Sequence, residues 1–387
     1  MSMHDFSLPI GPINPSMKEP TCIKLDLDGN IIRHAKLQMG YTHKGIEQLL
    51  EGKKIEQALY IAQRICGICS FCHSNGFNHT IEKMLNYEAP KRVKFIRTLV
   101  TELERIQSHM LWTGFMFHEF GFETMFQYLL RDRECILDIF ERVTGGRVHH
   151  AINKPKTVRY DLREQDVRFI LENMKTIEEQ INRYLDIVKK DKLTKERLMG
   201  VGVITKQTAR RYCLVGPTAR ASGFNNDIRR SHPYDAYPYL DFDVIMSKQG
   251  DAYARMIVRL MEAIESVKII RQLMKDLPKE EIPKPQIVFI EEGVATSQVE
   301  APRGENFYFT IIKNNKVDRI KIRTPTFATI NVLPALLENK PIGDVPVVLH
   351  SLDPCFSCME RVIVVKNDKR EVLDEHGFIH KYCDQSH

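Results

Sequence analysis

Between Cys22 and Leu37 the chain alternates, with Ile23, Leu25 and Leu27 separated by polar residues up to Asp28-Gly29-Asn30, after which Ile31 and Ile32 begin a return. A period of two interrupted by an Asp-Gly turn predicts a β-hairpin. From about His43 the period becomes helical. It is clearest from Lys91 to about Phe115, where Ile96, Leu99, Val100, Leu103, Ile106 and Met110 form an apolar stripe. Similar patterns predict long helices over Phe120–Arg142, Gln165–Lys190 and Gly250–Lys275. Pro90 and Pro278 fall at the edges of these patterns, where a helix starts or stops. After Pro285 the texture changes to short strands. Phe307–Lys313 and Asp318–Arg323 flank an Asn-Asn-Lys turn and predict a second hairpin. No repeat, low-complexity tract or Gly/Ser linker interrupts the pattern. The expected fold is mainly α (α+β): a central bundle of long helices with small peripheral β-sheets near both chain ends, in one domain over 1–387.

With 387 residues the chain can bury a substantial core, and 43% hydrophobic with 27% charged residues is ordinary for a globular protein. No apolar run reaches the roughly 18–20 residues that a membrane span needs. The N-terminal MSMHDFSLPIGPINP has neither the basic start nor the apolar stretch of a signal peptide. These features lead to the expectation of a cytoplasmic chain that meets a membrane only through partners. The net charge of +6 is spread over mixed runs such as Lys189–Arg197 and Lys275–Lys284, which read as solvated surface. Basic residues are not clustered with aromatics, so a nucleic-acid partner is not expected.

Cysteine changes the picture. Of nine cysteines, five stand singly at 22, 72, 135, 213 and 383, while the rest form Cys66/Cys69 and Cys355/Cys358. A Cys-x-x-Cys turn puts two thiols on one side of the backbone, close enough to share a metal ion. Two such turns offer four thiolates, a donor set for zinc, an iron–sulfur cluster or nickel. Zinc ribbons place their pairs about 15–20 residues apart. Here nearly the whole chain separates them, so a shared site would join the two ends of the fold at its centre.

The surroundings of the pairs are specific. The first lies in Arg64-Ile65-Cys66-Gly67-Ile68-Cys69-Ser70-Phe71-Cys72-His73, the second in Asp353-Pro354-Cys355-Phe356-Ser357-Cys358-Met359-Glu360-Arg361. Together they resemble the large subunit of nickel–iron hydrogenases. The terminal arginine, where many hydrogenases carry histidine, is similar to the energy-converting membrane-bound branch, itself related to the quinone-site 49 kDa subunit of respiratory complex I. The resemblance runs over residues 9–361. It takes in Gly40–Glu47, the helical signature Glu102-Leu103-Glu104-Arg105 with His109 and Trp112, Val215–Gly223, Pro233–Asp243 and Glu300-Ala301-Pro302-Arg303-Gly304. Complex I subunits of this shape lack the four cysteines, so their presence favours a loaded metal site.

The resemblance implies nickel held by four thiolates, Cys66 and Cys355 as terminal ligands and Cys69 and Cys358 bridging to an iron that carries carbon monoxide and cyanide. It implies reversible heterolytic cleavage of dihydrogen. Arg303 would hang over the open side of the metals, with Asp353 orienting it through a charge-assisted pair. Glu19 matches the N-terminal glutamate that moves protons near nickel, although Asn14 stands where relatives often have histidine. His73 and His43 would be hydrogen-bond partners of the ligands rather than ligands. Lys44 replaces an arginine common in relatives and loses its planar fork. Pro302, Pro325 and Thr326 would line the iron side, the Thr326 hydroxyl as a donor. Cys72 falls in a variable spacer and reads as a buried free thiol.

Beyond Arg361 the charged tail Val362–His387 follows directly on the last ligand motif. In several relatives such an extension (362–387) is removed after nickel insertion, so a cut after Arg361 is expected. The chain has no ferredoxin-type cysteine run, so electrons must leave through another subunit. Implied partners are a small subunit with a 4Fe–4S iron–sulfur cluster, ferredoxin-like subunits, membrane ion-translocating subunits, a maturation protease and nickel-insertion factors. The expected place is the cytoplasmic side of the cell membrane, in an anaerobic, ferredoxin-linked complex. Two other readings stand beside it: a related membrane oxidoreductase acting on a sulfur compound or quinone, and a zinc-stabilised scaffold without catalysis.

Overall fold

The computed structural model describes residues 5–14, 17–359, 362–366 and 369–373, the last two segments by backbone alone. Its centre is the helix Lys91–Glu119, which begins directly after Pro90, whose extended backbone (φ −54°, ψ 151°) sets the entry. Both sides of this helix are covered. Leu99, Leu103, Ile106 and Met110 face an apolar layer, while Glu102, Arg105 and His109 are equally buried against a polar one.

The helices Glu123–Thr144 and Ala252–Lys275 pack along it, and Glu164–Lys190 closes the layer against Ala252–Lys275. Glu164–Lys190 is amphipathic: Ile170, Met174, Ile177, Ile181 and Val188, three, four or seven residues apart, are all inside. Ala252–Lys275 starts at an Asp251 side chain that accepts the Ala254 N–H, an N-cap typically contributing about 1 kcal/mol. Glu123–Thr144 stops where Gly145 takes a left-handed conformation at φ 78°. The four long helices expected from periodicity are present, with ends within a few residues of those read from sequence. Among the described residues no helix is long and apolar enough to cross a membrane.

Small antiparallel sheets flank the bundle. Strands β1 (Asp5–Ile10), β2 (Cys22–Asp28) and β3 (Ile31–Gln38) form one, with Asp28 opposite Ile31 across the expected turn. A short ribbon, β4 (Asn153–Lys154) with β5 (Thr157–Val158), follows. Near the other end β6 (Glu292–Ala301), β7 (Gly304–Lys313) and β8 (Lys316–Arg323) form the second sheet. Asn314 and Asn315 join β7 to β8 with positive φ at both, the condition for the tight turn whose twist matches the strands. A last ribbon pairs β9 (Val362–Lys366) with β10 (Lys369–Leu373). The fold is mainly α with small sheets near both ends, as the sequence leads one to expect. Strands β1, β4, β5, β6, β9 and β10 are additions to it.

Candidate metal centre

The first cysteine pair sits on the turn that leads into the helix Ser70–Met84. Within the turn the Cys66 Sγ accepts the backbone N–H groups of Ile68 and Cys69, both at 3.3 Å. The helix that follows is held from outside. Glu104, on the central helix, accepts the N–H of Phe71 at 2.7 Å and of Cys72 at 2.9 Å, capping first-turn donors that have no partner within their own helix. Burial lifts the Glu104 pKa to about 7 although those donors pull it down. Lys44 reaches the carbonyls of Arg64 and Ile65 just before Cys66, at 3.1 and 2.6 Å. The motif is therefore fixed on both sides by residues outside it.

The second pair lies where the short helix Val345–Ser351 ends. Asp353 turns the chain in a left-handed conformation (φ 54°), and the Thr326 hydroxyl accepts the Cys355 N–H at 3.0 Å. This brings the pairs together. The Cys355 Sγ is 3.6 Å from that of Cys66 and 2.8 Å from that of Cys358, and the thiols of Cys66, Cys69 and Cys358 lie within 4.8 Å of one another. All four are buried. Hydrogen bonds from Cys358 and Cys66 bring the Cys69 pKa down to about 6, while burial pushes Cys358 well up. Four buried thiolates require a cation, because unpaired charges in a dry interior are prohibitive.

Arg303 approaches this cluster from the β6–β7 corner. Its Nη2 donates to Asp353 Oδ1 at 2.9 Å and its Nε to the Asp353 carbonyl at 3.0 Å. Burial opposes its charge, but Asp353 and the Cys355, Cys66 and Cys69 thiolates outweigh that and hold its pKa well above the usual value. Nη1 is buried with no hydrogen-bond partner among the described residues. The corner is seated by glycine: a Cβ on Gly216 would lie 2.2 Å from the Arg303 carbonyl oxygen, and one on Gly304 (φ 127°) would lie 2.7 Å from the Gly216 nitrogen.

A buried ionic network holds the same corner. Arg105 donates to the carbonyls of Glu300 and Ala301, and Arg220 pairs with Glu300 at 2.8 Å and Glu262 at 2.7 Å. Glu262 also meets His109 at 3.1 Å, and Arg229 joins Glu102 to Asp227. Four sequence segments that look unrelated in the chain, around Glu102, Arg220, Arg229 and Glu300, thus converge to position Arg303.

Glu19 completes the open side. Its carboxylate accepts the Ser357 N–H at 3.0 Å and the Ser357 hydroxyl at 2.6 Å, and Oε1 lies 3.7 Å from the Cys355 Sγ. Burial and then the Cys355 charge raise its pKa. Next to it Lys18 is half-buried, and burial brings its pKa down to about 8.

Of the residues singled out from sequence, Cys66, Cys69, Cys355, Cys358, Glu19, Arg303, Asp353 and Thr326 meet at this point. Pro302 and Pro325 are buried beside Arg303 and Thr326. His73 lies one turn beyond Cys69, buried, and the Cys355 charge acts on its ring. His43 is half-buried in the loop before the helix Ile46–Leu50. Cys72 is a buried free thiol. Arg361 and the expected cut lie outside the described residues. Ser357, Glu104, Lys18 and Tyr308, a partner of His73, were not singled out. Ser357 sits inside the second motif and Glu104 inside the helical signature, so their positions were at hand but their contacts were not.

Comparison with known proteins places the chain among two related groups. Residues 119–290 and 285–361 match the family described as "respiratory-chain NADH dehydrogenase, 49 Kd subunit", and residues 44–127 match "nickel-dependent hydrogenase". The chain is 34% identical to the membrane-bound hydrogenase subunit alpha of Pyrococcus furiosus, over 95% of this chain and 90% of that protein. It is 30% identical to the carbon monoxide-induced hydrogenase of Rhodospirillum rubrum, over 93% of this chain and all of that one, 100%. Among solved structures, a chain of the membrane-bound sulfane sulfur reductase, an archaeal respiratory membrane complex, superposes with a TM-score of 0.87 at 29% identity, covering 92% of this chain and 98% of that one. Likenesses of this length, on both sides of the kinship that the cysteine motifs suggest, make the chain a member of the nickel–iron hydrogenase large-subunit family, in the energy-converting branch related to the respiratory 49 kDa subunit.

Proposed function

We propose that this chain is the catalytic subunit of an energy-converting nickel–iron hydrogenase, interconverting two protons and two electrons with dihydrogen. The observation that carries the reading is the meeting of four buried thiols with a carboxyl group and a guanidinium nitrogen that has no hydrogen-bond partner among the described residues. The donor set fits a nickel–iron centre. Soft thiolates suit nickel, and a cation supplies the charge that four buried thiolates need. Cys66, Cys69, Cys355 and Cys358 would hold it, with Thr326, Pro302 and Pro325 on the iron side and carbon monoxide and cyanide as the iron's other ligands. When bound, the centre supplies the redox chemistry that divides dihydrogen unequally.

The residues of the chain do the rest. Glu19 takes or gives a proton at the Cys355 side, where its carboxyl group is already 3.7 Å from the sulfur. The Ser357 N–H and hydroxyl fix its orientation. Arg303, locked by Asp353, keeps a fixed positive charge over the site without itself exchanging protons. The apolar packing around the cysteines keeps bulk water away, which strengthens these interactions.

Electrons would pass to a small subunit bearing a 4Fe–4S cluster, and from there to ferredoxin-like subunits and a ferredoxin. Membrane subunits would couple the transfer to ion movement from the cytoplasmic side. The tail after Arg361 would be removed on nickel insertion by a maturation protease. The second reading is favoured by the sulfane sulfur reductase likeness: the same scaffold passing electrons to a sulfur compound or quinone. The purified complex, given a reduced low-potential donor, separates the two. Nickel and iron with dihydrogen release supports the proposal. Zinc without nickel, or sulfide release with no dihydrogen, overturns it.

A further inference from the structure

The helix Ala252–Lys275 carries two arginines one turn apart, Arg255 and Arg259, and both are fully buried. Among the described residues neither makes a hydrogen bond to a carboxylate. Both are turned toward Ser351–Asp353, the stretch that leads into the second cysteine pair. Arg255 holds its start, with Nη2 donating to the Ser351 hydroxyl and to the Gly202 carbonyl, each at 2.8 Å. Arg259 meets its end: Nε is 3.9 Å from Asp353 Oδ2, an ion pair rather than a hydrogen bond. The Arg259 guanidinium is itself pinned. Its carbon lies 4.1 Å from the centre of the Trp112 ring, and Nη1 donates to the Arg255 carbonyl at 3.2 Å.

The surroundings disfavour these charges. Burial and then Arg259 bring the Arg255 pKa down to about 9, since like charges one turn apart repel. Burial brings that of Arg259 down to about 10, although Asp353 and Glu262 pull it up. A buried charge that adds nothing to stability points to use at a site. Asp353 shows what that use is. An arginine and a carboxylate commonly pair as a two-pronged fork of parallel N–H···O bonds. Asp353 and Arg303 do not: only Oδ1 accepts from Arg303, at Nη2, while Arg303 Nε donates to the Asp353 carbonyl instead. Oδ2 makes no hydrogen bond among the described residues and stands beside Arg259. Arg303 Nη1 is left uncommitted, on the guanidinium that the Cys355, Cys66 and Cys69 thiolates act on.

We propose that Arg259 is a positioning residue for Arg303: its charge beside Oδ2 holds the Asp353 carboxylate to a single oxygen on Arg303 and so leaves Arg303 Nη1 free. Without that charge the carboxylate is free to turn about its Cβ–Cγ bond and take two N–H groups of Arg303 in the fork. The guanidinium then spends its uncommitted donor on Asp353. Among the described residues no hydrogen bond links Arg259 to a cysteine, so it acts through Asp353. The catalytic consequence rests on the hydrogenase reading. The coupling of Arg259 to Asp353 does not.

Turnover of the purified complex with reduced viologen, expressed per nickel bound, tests the consequence. Arg259→Met, which fills much of the same space without the charge, is expected to lower it by about 10²-fold, as when a positioned group moves out of place. Arg259→Lys, which returns a cation to the neighbourhood of Oδ2, is expected to recover part of the loss. In an Asp353→Asn background Arg259→Met should add less than about a twofold loss, because the group it acts through has changed. Thermal unfolding of the same complex prepared without nickel tests the coupling itself. The shift in melting temperature caused by Arg259→Met should differ between the parent and the Asp353→Asn background, because members of an ion pair are not additive. Less than about a tenfold loss in Arg259→Met, turnover in Arg259→Met equal to or above that in Arg259→Lys, multiplied losses in the double variant, or additive melting shifts would each overturn the proposal. A parent complex that releases no dihydrogen contradicts the hydrogenase reading, and the melting shifts still decide this one.

Discussion

Replacing Glu19 by glutamine separates what that side chain does chemically from what it holds in place. The carboxylate accepts two hydrogen bonds from Ser357 and approaches the Cys355 sulfur to 3.7 Å. Glutamine has the same shape but one acceptor oxygen, so one Ser357 donor loses its partner. The Ser357 hydroxyl already lies 3.3 Å from the Cys355 Sγ and can turn toward it. The structural loss is therefore that of one hydrogen bond, about 1 kcal/mol, small against the roughly 5–15 kcal/mol that keeps a protein folded. The chemical loss is larger. A positioned proton donor or acceptor typically contributes about 10²–10⁴-fold in rate. In purified complex with reduced viologen as donor, Glu19→Gln is expected to lower turnover by about 10²–10⁴-fold. Nickel content and melting temperature should remain near those of the parent. Glu19→Asp, one methylene shorter, is expected to recover part of the rate. Turnover within tenfold of the parent, or a loss that merely follows lost nickel, would refute the reasoning.

Gly76→Ala gains up to about 1 kcal/mol of helix propensity but forces a Cβ to 2.5 Å from the Tyr308 ring; overpacking of this kind costs about 1–3 kcal/mol. A ring held at its hydroxyl cannot retreat freely, so chemical denaturation should show a net loss of stability, and a gain would contradict the packing argument. Arg220→Met leaves the buried Glu262 and Glu300 without their shared cation and should cost about 3–5 kcal/mol in the same assay, partly recovered by adding Glu300→Gln. His150, stacked on Phe140 at 3.9 Å, has its pKa lowered to about 4 by burial. Above pH about 6.5 neither state protonates it; below that the unfolded chain binds a proton that the folded one refuses, so stability falls by about 1.4 kcal/mol per pH unit until about pH 4. His150→Gln should flatten that part of the stability profile, and an unchanged slope would contradict it.

The parts of the fold legible in sequence are those that local chemistry decides. Asp28-Gly29-Asn30 and Asn314-Asn315 mark their turns because few residues accept positive φ, and the long helices announce themselves by their apolar stripes. Strand β1 escaped because Pro9 is a poor strand residue, tolerated here on a sheet edge. Strand β6 escaped because Thr296-Ser297-Gln298 lacks an apolar alternation, and its pairing with β7 is set by tertiary contacts. The four cysteines were legible from spacing and surroundings. The partners that fix them were not. Glu104 caps a helix more than thirty positions earlier, with sequence separations of 33 and 32, and Tyr308 reaches His73 across 235 positions. Nothing local in the sequence signals such a contact. The charged residues Glu102, Arg105, Arg220 and Glu300 could be noticed as a set, but only folding shows that they converge on the corner carrying Arg303.

The central claim is that these four cysteines hold a nickel–iron centre, and the infrared spectrum of the freshly purified, metallated complex tests it most directly. In the window where iron-bound carbonyl and cyanide absorb, the account predicts one carbonyl and two cyanide bands that shift when the complex is reduced under dihydrogen. An empty window would mean that the cysteines hold another metal and that the scaffold serves a different acceptor.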